Sequence, residues 1–166
     1  MDNQQESLRD IGWLCGIIDG EGTITLRFHR RKNNRPLIKP VVTIINTDRL
    51  IIDKILQIYE KLDIPYWITE TAGTKRWKTR WTVETSGIRR LKRLLPHIID
   101  HLVGKKQQAQ IVQEWIEKRY NAIGNRSYYD DWDYEMVKKI KLLHGHQDKV
   151  EESLKILRDY TLNTEK

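Results

Sequence analysis

One abrupt change in apolar period near the N-terminus constrains this chain more than any other feature. Ile11, Leu14, Cys15, Ile17 and Ile18 recur at helical spacing behind Ser7 and Asp10, which have capping-box separation. A helix is therefore predicted from near Leu8 to the glycine-bearing stretch "GEG" at 20–22. From Thr23 to His29 the pattern alternates, with Ile24, Leu26 and Phe28 on one face and Thr23, Thr25, Arg27 and His29 on the other. One face of the strand belongs to a core; the other is hydrogen-bonding and cationic. Asp19 and Glu21 sit at the joint between the two periods.

The same alternation continues downstream. "RRKNNRP" supplies turn residues and "LIKPVVTII" a returning strand, with Pro36 and Pro40 marking its start or an irregular edge. "NTD" at 46–48 offers N-cap chemistry before Leu50, Ile51, Ile55, Ile58 and Leu62, a helical series that stops before "DIP". "YWITE" and "WKTRWTVET" flank the turn "TAGTK" as a second hairpin. "GIRRLKRLLPHIIDHL" follows as a helix that Pro96 interrupts or restarts. Further helices are predicted over about 105–120, about 133–143 and, after "HGH", to about 160. The acidic run "DDWDYE" suits a helix N-terminus, and Trp115 and Tyr120 are assigned to the core.

Two strand pairs with interspersed helices give an α+β fold with one four-stranded antiparallel sheet. No linker rich in Gly, Ser or Pro divides the 166 residues, so a single domain is expected over 1–166, its core at about 8–120 and C-terminal helices at about 121–162.

Charge narrows the partners. Thirty Lys and Arg against twenty-three Asp and Glu leave a net charge of +7, which points to a polyanion. Arg27, Arg30, Arg31, Lys32, Arg35 and Lys39 fall in one acid-free run, and residues 75–93 repeat the bias. Both runs lie in strand, hairpin or helix-entry segments rather than on a solvated helix face. A single cysteine excludes an intramolecular disulfide framework. No leader pattern is evident, and no apolar run approaches the roughly 20 residues that span a bilayer, so an intracellular protein with no membrane partner is expected.

Within the first helix Gly12 and Gly16 are four apart, with small Cys15 beside them, and would let another helix approach closely. Each costs about 1 kcal/mol relative to Ala inside a helix, which argues for a packing reason. Asp19 and Glu21 stand beside the last carbonyls of that helix, where negative charge is unfavourable. Something cationic should compensate them, either a nearby Lys or Arg or a divalent metal with hard oxygen ligands. His97 and His101 bracket Asp100, but no second ligand pair stands at zinc spacing.

The segment "LCGIIDGEG", Leu14 to Gly22, resembles the signature motif of the LAGLIDADG homing endonucleases, with Cys15 for Ala, Ile17 for Leu, Gly20 for Ala and Glu21 for Asp. "IINTDRLIIDKI" is similar to that family's second-strand end and following helix, and "LVGKKQQAQIV" to its lysine-bearing helix, so the resemblance spans about 8–120. It implies an αββαββα core whose saddle-shaped sheet lies along the DNA major groove. Only one copy of the motif is present, since "WIEKRYNAIG" stands where a second would fall. Single-motif members are similar to homodimers joined through their motif helices. That implies a C2 dimer through Gly12, Trp13, Cys15, Gly16 and Asp19, on a long pseudo-palindromic site.

The resemblance also implies a mechanism. Glu21 aligns with the motif's final acid, a divalent-metal ligand assisted by the backbone carbonyl of Gly20. Mg²⁺ is the default ion, with Mn²⁺ or Ca²⁺ as substitutes. Lys105, with Lys106 as the alternative, aligns with the lysine that polarises the scissile phosphate or positions water, and Asn46 with the residue that orients the hydrolytic water. Asp19 takes a more structural role at the interface, with a catalytic share left open.

Sequence readout falls to the polar face of the sheet: Thr25, Arg27, His29 and Arg31, then Lys39, Val41 and Thr43, then Lys78, Arg80 and Thr82 opposite Trp77, Trp81 and Val83. In the third strand either Tyr66, Ile68 and Glu70 or Trp67, Thr69 and Thr71 face outward, and family spacing favours the set with Glu70. The expected activity is site-specific double-strand DNA cleavage of the kind encoded in mobile introns. The rivals are a non-cleaving binder on the same scaffold, either an RNA maturase or a transcription factor, and a basic DNA-coating protein.

Overall fold

A computed structural model of the chain describes residues 3–30, 36–121, 129–145, 150, 154 and 155, the side chains at 3, 4, 29 and 30 excepted. Helix α1 (Asn3–Glu21) leads into β1 (Gly22–Arg30) and β2 (Pro36–Asn46), then α2 (Arg49–Lys61), β3 (Trp67–Thr71), β4 (Arg80–Ser86) and α3 (Ile88–Ile98). This is the αββαββα order, with α4 (Lys106–Asn121) and α5 (Asp131–Leu143) added after it. The strands form one open, saddle-like antiparallel sheet in the order β1-β2-β4-β3.

Helix α1 buries Ile11, Leu14, Cys15 and Ile18, a stripe at spacings of three and four. It starts at Asn3, earlier than the Ser7 to Asp10 spacing predicts, so those residues are interior and cap nothing. Asp10, 8% exposed, instead clamps α1 to α2. Its carboxylate accepts from Lys54 Nζ at 2.6 Å and Lys61 Nζ at 3.0 Å. The Lys54 ammonium, supported by Lys61, holds the carboxyl below its usual range against the opposing effect of burial. At the end of α1, a Cβ on Gly22 would meet the Ile18 carbonyl oxygen at 2.7 Å, so only glycine lets the chain leave the helix this closely.

Ile24, Leu26, Ile38, Val42 and Ile44 are buried beneath the helices, but burial in β2 departs from strict alternation, since Val41, expected on the outward face, is also fully buried. Pro40 lies inside central β2, yet its backbone faces the side where β4 has already ended, and its carbonyl accepts from Gly87 N at 2.9 Å. The missing N–H therefore removes no bond to β1. Asp48 caps α2 as expected, accepting from Leu50 N at 2.9 Å.

The second hairpin corrects two expectations. All five residues of β3 are exposed, so the strand carries no burial alternation of its own and register alone decides its faces. Ile68 pairs with buried Val83 and Glu70 with Trp81, which puts Glu70 on the helix side, where it accepts from Trp81 Nε1 at 3.0 Å. The outward set is Trp67, Thr69 and Thr71. Strand β4 begins at Arg80, so Lys78 lies in the connecting loop rather than in line with Arg80 and Thr82.

Helix α3 runs through Pro96 without a break. The carbonyl that Pro96 cannot engage belongs to exposed Lys92, where water is available, while Leu91, Leu94, Leu95 and Ile98 bind the helix to the core. In α4, Trp115 is buried and donates to Asp133 Oδ1 at 2.8 Å, but Tyr120 is 38% exposed, with Lys92 Nζ 3.5 Å from its ring centre, and is not core. Asp130 and Asp133 form a reciprocal capping box at the start of α5, as the acidic run suggested. Met136, Val137 and Ile140 of α5 join the same core cluster as α1. Of the last predicted helix, residues 150, 154 and 155 are helical and the remainder lies outside the described residues.

Candidate nucleic-acid interface and catalytic cluster

The sheet has one face covered by helices and one face open. Cross-strand register places Thr23, Thr25 and Arg27 of β1, Lys39, Thr43 and Ile45 of β2, Arg80, Thr82 and Glu84 of β4, and Trp67, Thr69 and Thr71 of β3 together on the open face, whereas Val41 and its partner Ser86 share that parity but are buried. Thr25, Arg27, Lys39, Thr43, Arg80 and Thr82 therefore share one surface as predicted. The His29 side chain and Arg31 lie outside the described residues, although the His29 backbone pairs with Leu37.

One residue of this face was not singled out from the sequence, and another belongs to the outward set that was not favoured. Glu84 pairs with Thr43 and takes Arg27 Nη1 at 2.8 Å on one oxygen and Lys39 Nζ at 3.6 Å on the other. Burial raises the Glu84 carboxyl, but Arg27, Ser86 and Lys39 together hold it below its ordinary value. Its parity with Arg80 and Thr82 was available in the sequence; its shared partners on two other strands were not. Trp67, from the alternative outward set, is 61% exposed, and the Arg90 guanidinium stacks 5.4 Å from its ring centre.

At the α1–β1 joint the two carboxylates part company. Asp19 turns inward, its Oδ2 accepting from Val103 N at 2.8 Å and its Oδ1 from Lys105 N at 2.9 Å, immediately before α4. Partial burial would raise this carboxyl, but the amides of Val103, Lys105 and Gly104, with the Lys105 charge, hold it below its usual range. The compensation expected for an acid at a helix C-terminus is thus supplied by the N-terminal amides of another helix. Lys105 completes the joint by donating from Nζ to the Asp19 main-chain oxygen. Glu21, at the end of α1, is exposed and has no hydrogen-bond or ion-pair partner among the described residues.

Gly22 pairs with Ile44, so Asn46, two residues on, lies at the same end of the sheet as Glu21. The Asn46 Oδ1 is occupied by Asp48 N at 2.8 Å, which leaves its amide nitrogen available to donate. Among the described residues no three His, Cys, Asp or Glu converge in a way that could hold a metal, His97 and His101 included.

Gly12, Gly16 and Gly20 line the exposed side of α1, and a Cβ at any of them would meet nothing within 4 Å. Trp13 is half-buried beside them. Cys15, expected on that face, is 1% exposed within the core stripe, its Sγ 3.5 Å from the Ile98 carbonyl oxygen. It follows Leu14 and precedes Ile18 on the buried arc, not the glycine arc. Burial, with Asp19 adding to it, pushes its thiol up to about 11.

Residues 10–98 match the LAGLIDADG-like domain, more than half of the chain. The chain belongs to the LAGLIDADG-like domain family. The match runs from Asp10 in α1 through both hairpins to Ile98 at the end of α3, and Lys105, α4 and α5 follow it. No curated protein sequence matches significantly.

Solved structures with the same fold include the homing endonuclease I-CvuI with its target in the presence of calcium, at 18% identity and TM-score 0.60, covering 90% of this chain and 84% of that one. The archaeal intron-encoded homing endonuclease I-Vdi141I bound to DNA aligns at 19% identity and TM-score 0.64, covering 95% and 99%. The homing endonuclease I-TnaI aligns at 14% identity and TM-score 0.64, covering 89% and 97%. Among the described residues of this LAGLIDADG-like chain, no helix is long and apolar enough to cross a membrane.

Proposed function

We propose that the chain, acting as one domain over residues 1–166, is a site-specific double-strand DNA endonuclease that works as a C2 homodimer with a divalent metal, Mg²⁺ by default. The observation that carries this reading is the free, exposed Glu21 carboxylate at the end of α1, next to a tethered Lys105 and at one end of a cationic sheet face. Structures of similar fold solved on DNA support the DNA partner.

At the α1–β1 joint, among the described residues, one chain offers a metal the Glu21 carboxylate and the Gly20 carbonyl, because both Asp19 oxygens are taken by amides. That donor set fits Mg²⁺, which keeps several waters and is held by one or two carboxylates together with phosphate oxygens. A second copy would supply the second Glu21. The bare Gly12 and Gly16 face of α1, flanked by Trp13 and by Leu8 at 59% exposure, would bring the two α1 ends together. A divalent ion held there by the two Glu21 carboxylates would supply water activation and charge stabilisation for the departing 3′ oxygen.

The remaining roles belong to the chain's own residues. Lys105, fixed through one donor to the Asp19 carbonyl, has two donors left for the scissile phosphate or the attacking water. The Asn46 amide nitrogen orients that water from the same end of the sheet. Thr25, Arg27, Lys39, Thr43, Arg80 and Thr82 meet base edges and phosphates, joined by Trp67 and Thr69; Glu70 has no place in this set.

The test is Glu21→Gln on a site recovered by selecting cleaved sequences from a randomised duplex library. Cleavage should vanish while binding to that site persists. Nicking at the wild-type rate would overturn the metal-ligand assignment.

A further inference from the structure

The cations of the open face are not all free. Among the described residues Arg27, Lys39 and Arg80 are its basic side chains, and two of the three converge on the one carboxylate, Glu84. Arg27 is also drawn toward Thr43, with Nη2 at 3.4 Å from Oγ1. Its two terminal nitrogens are thus engaged on different strands, by Glu84 from β4 and Thr43 from β2, which fixes both the plane and the direction of the guanidinium. With two of its five N–H donors engaged, three remain for a ligand. Arg27 and Glu84 side chains are 36% and 22% exposed, so the pair is reachable from solvent without being fully hydrated.

Resting on the DNA-binding reading above, we propose that Glu84 is the specificity-determining positioning residue of the sheet, holding Arg27 in one orientation for a guanine edge and withholding Arg27 and Lys39 from indiscriminate phosphate contacts. Bidentate recognition of guanine O6 and N7 needs a guanidinium of fixed plane, and an untethered arginine can satisfy any nearby phosphate equally well. A carboxylate on a DNA-facing surface opposes the backbone everywhere along the duplex. Its cost falls on all sequences, whereas its benefit falls only where Arg27 meets the right base. Glu84 therefore lowers non-specific binding and raises discrimination together.

That joint effect separates the proposal from a merely structural role. Glu84→Gln should bind random-sequence duplex more tightly than wild type, with log K falling more steeply against log salt by about one unit, the signature of an additional phosphate contact. On the selected site and its single-base variants, the same substitution should cut discrimination at one position in each half-site by on the order of tenfold, leaving other positions alone. In an Arg27→Ala background, Glu84→Gln should have no further effect at that position. Glu84→Asp, which keeps the charge but shortens its reach, should lose part of the discrimination without gaining affinity for random duplex. It serves as the test if the Gln variant does not fold.

Unchanged discrimination and salt slope in both variants, or a uniform loss of affinity with specificity intact, overturns the proposal. Failure of wild type itself to select any sequence overturns the DNA reading instead, so the two failures are distinct.

Discussion

Replacing Asp19 by Ala tests whether the two acids of the α1–β1 joint have the separate jobs their surroundings indicate. The carboxylate accepts the N–H groups of Val103 and Lys105 at 2.8 and 2.9 Å, just ahead of α4. Losing one N-cap acceptor costs about 1 kcal/mol, and two on a part-buried, charged acceptor put Asp19→Ala at about 2 kcal/mol. For a chain of this length that is a fall of about 4–8 °C in Tm. Asp19→Asn should recover part of it, because its amide oxygen serves one N–H while its NH₂ faces the other.

The pH dependence has a definite sign. The folded Asp19 carboxyl is held below its ordinary value of 3.8, so its contribution is fully present above that value and disappears as pH falls through the lower folded one. Urea denaturation should therefore show the full difference between wild type and Asp19→Ala at pH 7 and a much smaller one near pH 2. Glu21→Gln, at an exposed position without a partner, should stay within about 0.5 kcal/mol of wild type. A loss below about 0.5 kcal/mol for Asp19→Ala, or one equally large at pH 7 and pH 2, would refute the amide-cap account.

Three further outcomes are expected. Gly12→Ala with Gly16→Ala should raise monomer stability by about 1 kcal/mol each, since a Cβ meets nothing there within the chain, yet weaken any dimer joined through that face; sedimentation and the concentration dependence of Tm separate the two effects. Asp10→Ala should cost about 1–2 kcal/mol by freeing Lys54 and Lys61, an effect fully present in urea titrations above the ordinary aspartate value of 3.8 and lost as pH falls through the lower folded one. Gly22→Ala should destabilise by about 1–3 kcal/mol, because its Cβ would press on the Ile18 carbonyl at 2.7 Å; calorimetry showing no loss would contradict that contact.

The sequence by itself determined the order of elements and the faces of those that carry their own burial signal. Ile11, Leu14 and Ile18, or Ile24 and Leu26 against Thr25 and Arg27, announce an inside and an outside within a few residues. Asp48 was legible for the same reason, since a cap is made with backbone two or three positions away, and the acidic run at 130–135 marked a helix N-terminus, where the structure adds the reciprocal Asp130–Asp133 box. The joint "GEG" was likewise marked as the place where the helix must yield to the strand.

Tertiary structure decided whatever depends on a partner far along the chain. Strand β3, exposed at every residue, offers no alternation, so only its register with β4 assigned Glu70 to the helix side and Trp67 to the open face. Asp10 reads as a cap until Lys54 and Lys61, forty-four and fifty-one residues later, arrive to neutralise it. Cys15 and Gly16 are neighbours in sequence, but the packing of α3 against α1 makes one core and leaves the other bare. Asp19 and Glu21 are the same kind of acid at nearly the same place, and they differ because the amides before α4 reach one of them and not the other. Local period records which side of an element is buried; it holds no record of which distant group will meet a charge, and that meeting fixes what each charge can do.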